Sequence, residues 1–252
     1  ALKFLGRLHG VDEGLAALAT AQKHFARSSF DIIYARPGQN AEQWKAELEL
    51  AISYAAEHLS LYQLTIEPGT VFEALHRAGK LKIPDLELGR ALFDVTQEIC
   101  ARHGLASYEI SNHARPGAEC RHNLVYWRYG EYAGIGPGGH GRLVVNGQRR
   151  AQSTEKSPEL WLTATQSDGH ALIEDDALSA ENQGDEYLLM GLRLTEGIDP
   201  ARFAALSGRA LSAQRVADLV GHGLVRRLPT GHIAATMEGA ALLDAVVADL
   251  AA

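Results

Sequence analysis

The residues best able to do chemistry lie between positions 108 and 141. His122-Asn123-Leu124-Val125-Tyr126-Trp127 sets an imidazole beside two amphipathic aromatics. Such a set can hold a flat apolar ligand, and histidine is a common ligand of haem iron. The same residues would also serve as a hydrogen-bonded core histidine with Tyr126 and Trp127 as ordinary packing. Upstream, Tyr108-Glu109-Ile110-Ser111-Asn112 ends an apolar run with polar side chains. They suit ligand hydrogen bonds or capping of the following loop. Downstream, Gly134-Ile135-Gly136-Pro137-Gly138-Gly139-His140-Gly141 offers backbone that tolerates positive φ. It is neither a helix-opening GxGxxG nor a Walker loop, since no Lys-Ser/Thr follows, so a phosphate cradle is a weak reading. A loop that lets a bulky planar or adenosyl ligand approach the backbone and a tight structural turn both remain open.

Earlier in the chain, Glu67-Pro68-Gly69-Thr70 sits at the carboxyl end of a strand, where α/β proteins place their sites. A plain turn with a solvated Glu67 fits equally. Asp31 falls inside the apolar run Phe30 to Tyr34. Burying a carboxylate is costly unless it is paired, so this position predicts a ligand hydroxyl, a cation or a backbone partner. Arg7, taken singly, reads as a surface residue ahead of a helix.

The elements that must position these groups alternate in type. Leu15, Leu18, Ala19, Gln22 and Phe25 mark one face of a helix near 11–26. Phe30 to Tyr34 has the short apolar form of a strand buried in a parallel sheet, closed by Pro37-Gly38. Asn40 with Gln43 resembles a capping box opening a helix that carries Trp44, Leu48, Ile52 and Ala55 on one side. A strand follows at 59–66. Pro84-Asp85 then starts a helix with Leu88, Leu92, Val95 and Ile99 on one face and Gly104 past its end, before a third strand at 105–110. Strands separated by helices imply βαβ units and a parallel sheet or barrel segment. Val144-Val145-Asn146-Gly147 predicts a hairpin with a type I′ turn. The tail reads as helices over 178–194, 199–207 and 212–220, a two-stranded wing at 224–234 and a last helix from Thr236. That order is a winged-helix pattern. Residues 1–150, 151–177 and 178–252 are therefore expected to be an α/β domain, a polar connecting segment and a winged-helix-like domain.

The bulk properties narrow the class. The chain has 252 residues, is 46% hydrophobic and carries a formal net charge of -7, against the basic face that nucleic-acid binding needs. Arg215, Arg226 and Arg227 around the third tail helix and the wing are the features favouring nucleic acid, opposed by Asp218. The two cysteines, Cys100 and Cys120, form no CxxC, which argues against structural zinc or a cysteine-ligated cluster held by this chain. No apolar run approaches a membrane span and no basic-then-apolar leader is present, so a cytoplasmic protein is expected. The abrupt start at Ala1 reads as a piece of something longer.

Six segments, in order, resemble one family. Leu5-Gly6-Arg7-Leu8-His9, Phe30 to Tyr34 with Pro37-Gly38-Gln39, Leu59 to Thr70, Tyr108 to Gly117, Cys120 to Trp127 and Gly134 to Gly141 are similar to the HemW-type haem chaperones. These are a branch of the coproporphyrinogen dehydrogenase-like radical SAM proteins. The resemblance implies an α/β fold: a partial (β/α)6 radical SAM barrel lacking its first strands, plus a C-terminal winged-helix-like domain. It also implies a [4Fe–4S] cluster and S-adenosylmethionine in the intact protein. By resemblance, Arg7, Asp31 and Thr65 fall on adenosylmethionine-binding positions, with His140 near a further one. His122, Tyr126 and Trp127 form the haem side, with His122 as the candidate iron ligand.

The implied partners are haem and haem-accepting proteins, without nucleic acid; a homodimer and peripheral membrane contact are compatible with the reading. The porphyrinogen oxidase of the same superfamily is the alternative. The family's CxxxCxxC triad, Gly-Gly-Thr-Pro strand end and catalytic-side glutamate precede the point where this chain begins. The chain alone is therefore expected to do no radical chemistry.

Overall fold

A computed structural model describes residues 2–252, and the chain divides after Glu119 into two compact units. The first contains α1 (Val11–His24), β1 (Asp31–Tyr34), α2 (Ala41–Tyr54), β2 (His58–Gln63), α3 (Val71–Arg77), α4 (Leu86–Arg102), β3 (Ala106–Ser107) and β4 (Asn112–Ala114). Its four strands lie in the order β1-β2-β4-β3. β1 and β2 are parallel neighbours with Asp31 opposite Ser60, joined through α2 as the βαβ pattern requires.

The helices start where their sequences say. The Asn40 side chain accepts from the Gln43 amide at 2.9 Å, and the Gln43 side chain accepts from the Asn40 amide at 3.1 Å. Asp85 accepts from the Leu88 amide at 2.9 Å. Trp44 and Leu48 of α2 and Leu92 and Ile99 of α4 are buried with Tyr34, Leu59 and Leu61 of the sheet. Trp44 stacks on Tyr34 at 4.9 Å between centroids and donates its Nε1–H to Thr96 Oγ1 at 2.8 Å. Burying roughly 200 Å² of indole contributes about 5 kcal/mol of gross transfer free energy. α1 behaves differently: no residue of it is fully buried, Leu15 and Leu18 being half-buried, and Phe25 just beyond it is 67% exposed.

The third strand departs from expectation. The strand expected over 105–110 is only Ala106–Ser107, after which the chain reverses into β4, antiparallel to both β2 and β3. The physical cause is the buried carboxylate of Glu109, which accepts from the Ser111 amide at 2.9 Å and from the Asn112 side chain. That local network makes a turn out of residues that read as the end of a strand.

The second unit contains α5 (Arg121–Trp127), β5 (His140–Val145), β6 (Gln148–Thr154), α6 (Pro158–Asp168), β7 (Leu172–Ala177), α7 (Ala180–Gly191), α8 (Pro200–Ser207), α9 (Ala213–Gly221), β8 (Val225–Arg227), β9 (Ile233–Ala235), α10 (Met237–Ala241) and α11 (Leu243–Ala251). β5, β6 and β7 form an antiparallel sheet in that order. Asn146 and Gly147 turn its first hairpin with φ of 51° and 79°, both positive as a type I′ turn demands.

Residues 151–177, expected as a connecting segment, instead hold most of β6, then α6 and β7. The polar composition that suggested a linker belongs to an exposed edge strand. Glu174, Asp175 and Asp176 charge that edge, which discourages pairing with another chain. The last helix breaks at Leu242 into α10 and α11. The core of this unit gathers Tyr187, Leu188, Phe203, Val216, Ile233 and Val246. Gly197 is essential to its packing: at φ +65°, a Cβ there would stand 2.2 Å from the Ile233 carbonyl oxygen.

Candidate functional site

The motif helix α5 is only seven residues long, within a stretch that shows no clean period in sequence. His122 and Tyr126 lie four apart and therefore on one face. Their rings meet edge-on at 5.4 Å, and the Tyr126 hydroxyl donates to Asn123 Oδ1 at 2.9 Å. Tyr126 also packs edge-on against Trp127 at 4.9 Å and Tyr132 at 6.1 Å. His122 itself is exposed, so the core-histidine alternative fails here. Trp127 turns elsewhere. The Arg193 guanidinium sits 4.4 Å over its ring, and its buried Nε1 has no hydrogen-bond partner among the described residues. It helps line a cavity of about 230 Å³ with Tyr187, Glu196, Arg202 and His232. That volume falls below the ~300–1,000 Å³ of ordinary small-molecule sites. The motif thus has two sides, His122 with Tyr126 facing outward and Trp127 facing inward.

Arginines hold the C-terminal end of α5. Arg202 donates to the Arg128 carbonyl at 2.8 Å and the Tyr129 carbonyl at 3.0 Å. Arg149 donates to the Tyr129 and Gly130 carbonyls at 3.1 and 2.6 Å, with its guanidinium 3.7 Å over the Tyr129 ring. Tyr129 donates its hydroxyl to Glu186 at 2.8 Å, and Arg142 grips the same carboxylate. Burial and this acidic neighbour push the Tyr129 phenol well above its usual range. The Arg128 side chain pairs with both oxygens of Glu196 at 2.7 Å. These long-range partners were not legible in the sequence, because nothing in spacing links Arg142, Arg149 and Arg202 to residue 129.

The glycine-rich loop is a structural turn. A Cβ on Gly134 would fall 2.6 Å from the His140 backbone, and one on Gly139 would fall 3.0 Å from that of Gly134. Thr154 Oγ1 accepts from the Gly139 amide at 2.8 Å and donates to the Gly136 carbonyl at 2.7 Å, while the Gly138 amide donates to the Glu155 carbonyl at 2.8 Å. The loop's glycines let backbone meet backbone. His140 begins β5 exposed, opposite Ser153.

In the first unit, Asp31 is exposed at the start of β1, which removes the predicted need for a buried partner. Thr65 is also exposed and donates to Glu67 Oε1 at 2.8 Å; Arg7 is exposed, its amide closing a turn onto the Leu2 carbonyl at 3.0 Å. No hydrogen bond or ion pair joins Arg7, Asp31 and Thr65 among the described residues. The Glu67-Pro68-Gly69-Thr70 turn serves α3, with Thr70 accepting from the Glu73 amide and Glu73 accepting from the Gly69 amide.

A buried polar group that sequence reasoning missed lies across β2 and β4. His58 bonds Ser29 Oγ at 2.7 Å and Tyr108 Oη at 2.9 Å through its two ring nitrogens, and Ser60 donates to Asn112 Oδ1 at 2.9 Å. Burial lowers the pKa of His58, with Asp31 pulling the other way. His113 is fully buried beside it. Burial, then the nearby His58, push the His113 imidazole down to about 4; its interaction with the Ser111 backbone lacks normal hydrogen-bond geometry.

The residues present do not fit an iron–sulfur cluster. Cys100 is buried in the first unit, where burial raises its thiol to about 12, and Cys120 is half-buried at the start of α5. Among the described residues no three His, Cys, Asp or Glu side chains gather as metal ligands. Of the arginines that favoured nucleic acid, Arg215 is paired with Asp249 at 3.0 Å. No described helix is long and apolar enough to cross a membrane.

Together these elements define a mixed α/β chain, and its backbone matches a solved structure of coproporphyrinogen III oxidase (HemN) from Escherichia coli, described as a radical SAM enzyme. The match has a TM-score of 0.74 at 18% identity, over 99% of this chain and 60% of that one. Residues 178–242 match the HemN C-terminal domain. In sequence the chain is 34% identical to the mitochondrial radical S-adenosyl methionine domain-containing protein 1 of Danio rerio, over 98% of this chain and 58% of that protein. It is 32% identical to the heme chaperone HemW of Bacillus subtilis, over 89% and 59%. With the HemW of Escherichia coli it shares 33%, over 82% and 53%. Over most of its own length the chain is thus similar to proteins of the HemW and HemN group, the likeness its motifs suggest, and it spans less than two thirds of the length of these relatives.

Proposed function

We propose that the intact protein is a haem chaperone that carries haem at His122 and passes it to haem-accepting proteins. Supporting this reading is an exposed imidazole, held edge-on to Tyr126 on a short helix, in a chain about a third identical to proteins named heme chaperone HemW. An exposed histidine offers a ring nitrogen to iron without first breaking a core contact. Tyr126, tied to Asn123, gives the ligand an aromatic edge to lie against. Only one such face is needed if the cargo is to leave again.

In this reading Arg7, Asp31 and Thr65 of the first unit are adenosylmethionine-binding positions and His140 of the second lies near a further one; each of the four is exposed within its own unit. The [4Fe–4S] cluster would take ligands that this chain does not supply. β1 and β2 are read as neighbouring strands of a partial (β/α)6 barrel, and residues 178–252 as a winged-helix-like domain. The alternative, oxidation of coproporphyrinogen, has the fold match and the HemN C-terminal domain match in its favour.

Titrating the chain with hemin and following the Soret band tests the proposal. Saturable binding with one equivalent, weakened at least about tenfold in His122→Ala, is expected for loss of an axial ligand. Equal binding by the two proteins removes His122 from the role.

A further inference from the structure

We infer that Arg202 is a positioning residue for the motif helix, setting the direction in which His122 is offered. A helix of seven residues has little stability of its own, and the Cys120 side chain provides no cap at its start. Its orientation must come from contacts, and at its C-terminal end these are arginines. The planar guanidinium of Arg202 spans two successive carbonyls, Arg128 at 2.8 Å and Tyr129 at 3.0 Å. Two bonds from one rigid fork fix an angle as well as a distance, and the cation lies where the helix dipole is negative. Tyr129 adopts φ +52°, a left-handed conformation that a non-glycine residue keeps only when its surroundings hold it. Arg149 supports it as well, over the ring and on the Tyr129 and Gly130 carbonyls. Arg202 belongs to α8, inside the stretch matching the HemN C-terminal domain. With Arg193 over Trp127 and Glu196 on Arg128, this side chain lets that stretch aim the helix carrying His122.

The positioning stands on the geometry alone, while its consequence for haem rests on the function proposed above. Both are separable in one set of proteins: the full chain and its Arg202→Gln, Arg202→Lys and Arg209→Gln variants. Arg209 is the control, since it lies 5.1 Å over Phe203 and bonds the Ala251 carbonyl, away from α5. Hydrogen exchange at the Arg128, Tyr129 and Gly130 amides reports the helix end directly. Exchange there should rise about tenfold or more in both Arg202 variants, lysine failing because a point charge lacks the fork. Arg209→Gln should lower the melting temperature and leave those amides protected. Hemin affinity should fall roughly tenfold and the Soret maximum should shift in the Arg202 variants only. If Arg202→Gln unfolds the chain, Arg202→Lys, which keeps the charge and loses the fork, provides the readout. Unchanged exchange at these amides in the folded variants overturns the positioning role. Raised exchange with unchanged hemin binding keeps that role and overturns His122 as the haem site.

Discussion

His113 and His122 are close in sequence and opposite in setting. His113 lies fully buried in the first unit, opposite Leu59, while the polar groups at neighbouring positions of β2 and β4 bond one another and leave both of its ring nitrogens without a hydrogen-bond partner among the described residues. His122 lies exposed in the second unit, on a helix whose far end is gripped by arginines. One imidazole is folded into the scaffold and kept neutral; the other is held up by it. Residue type does not separate the two cases. What separates them is where neighbouring polar groups spend their hydrogen bonds: on each other in the first unit, and on the backbone behind the motif in the second.

The largest test of this contrast concerns pH. Because the His113 imidazole is pushed from its ordinary 6.5 to about 4, the unfolded chain takes up a proton in that window that the folded chain refuses. Its contribution is complete above pH 6.5 and declines as pH falls toward 4, amounting to about 3 kcal/mol over the shift. His113→Phe should abolish that part of the acid destabilisation, so its urea midpoint should gain on wild type steadily from pH 6.5 to 4. Parallel curves for the two proteins would mean that His113 accepts a proton without opening the fold.

A smaller effect is expected in the second unit. Gly197→Ala forces a left-handed alanine against the Ile233 carbonyl, so stability should fall by roughly 2 kcal/mol or more. A melting temperature within a degree or so of wild type would show that the loop between α7 and α8 is looser than its packing implies. The smallest effect belongs to Asp31. Exposed at the edge of β1, it should tolerate Asp31→Asn with a change within about 0.5 kcal/mol in denaturant unfolding. A loss of several times that would restore the buried, paired carboxylate suggested by its apolar surroundings in sequence.

Much of the scaffold was legible because its signals are local. The capping pair Asn40 and Gln43, the Asp85 cap, the apolar stripes of α2 and α4 and the Asn146-Gly147 turn each depend on residues a few positions apart. What escaped was non-local or too short. α5 has too few residues to establish a period. At Glu109 the sequence left two readings open, ligand hydrogen bonds and capping of the following loop, and the fold takes the second. Asp31 seemed buried because its neighbours are apolar, but it opens its strand at the sheet's edge. His58 finds Ser29 and Tyr108 only through the fold, as Tyr129 finds Arg149 and Arg202. For the candidate site, the motif pointed to His122 and Tyr126; the side chains that hold them came from the structure.

Whether His122 is presented to bind iron is measured most directly by the hemin spectrum of His122→Ala with free imidazole added back. The variant's perturbed Soret band should return to the wild-type position as imidazole fills the vacated axial place, while the wild-type spectrum does not respond. A variant spectrum identical to wild type before any imidazole is added would contradict the assignment.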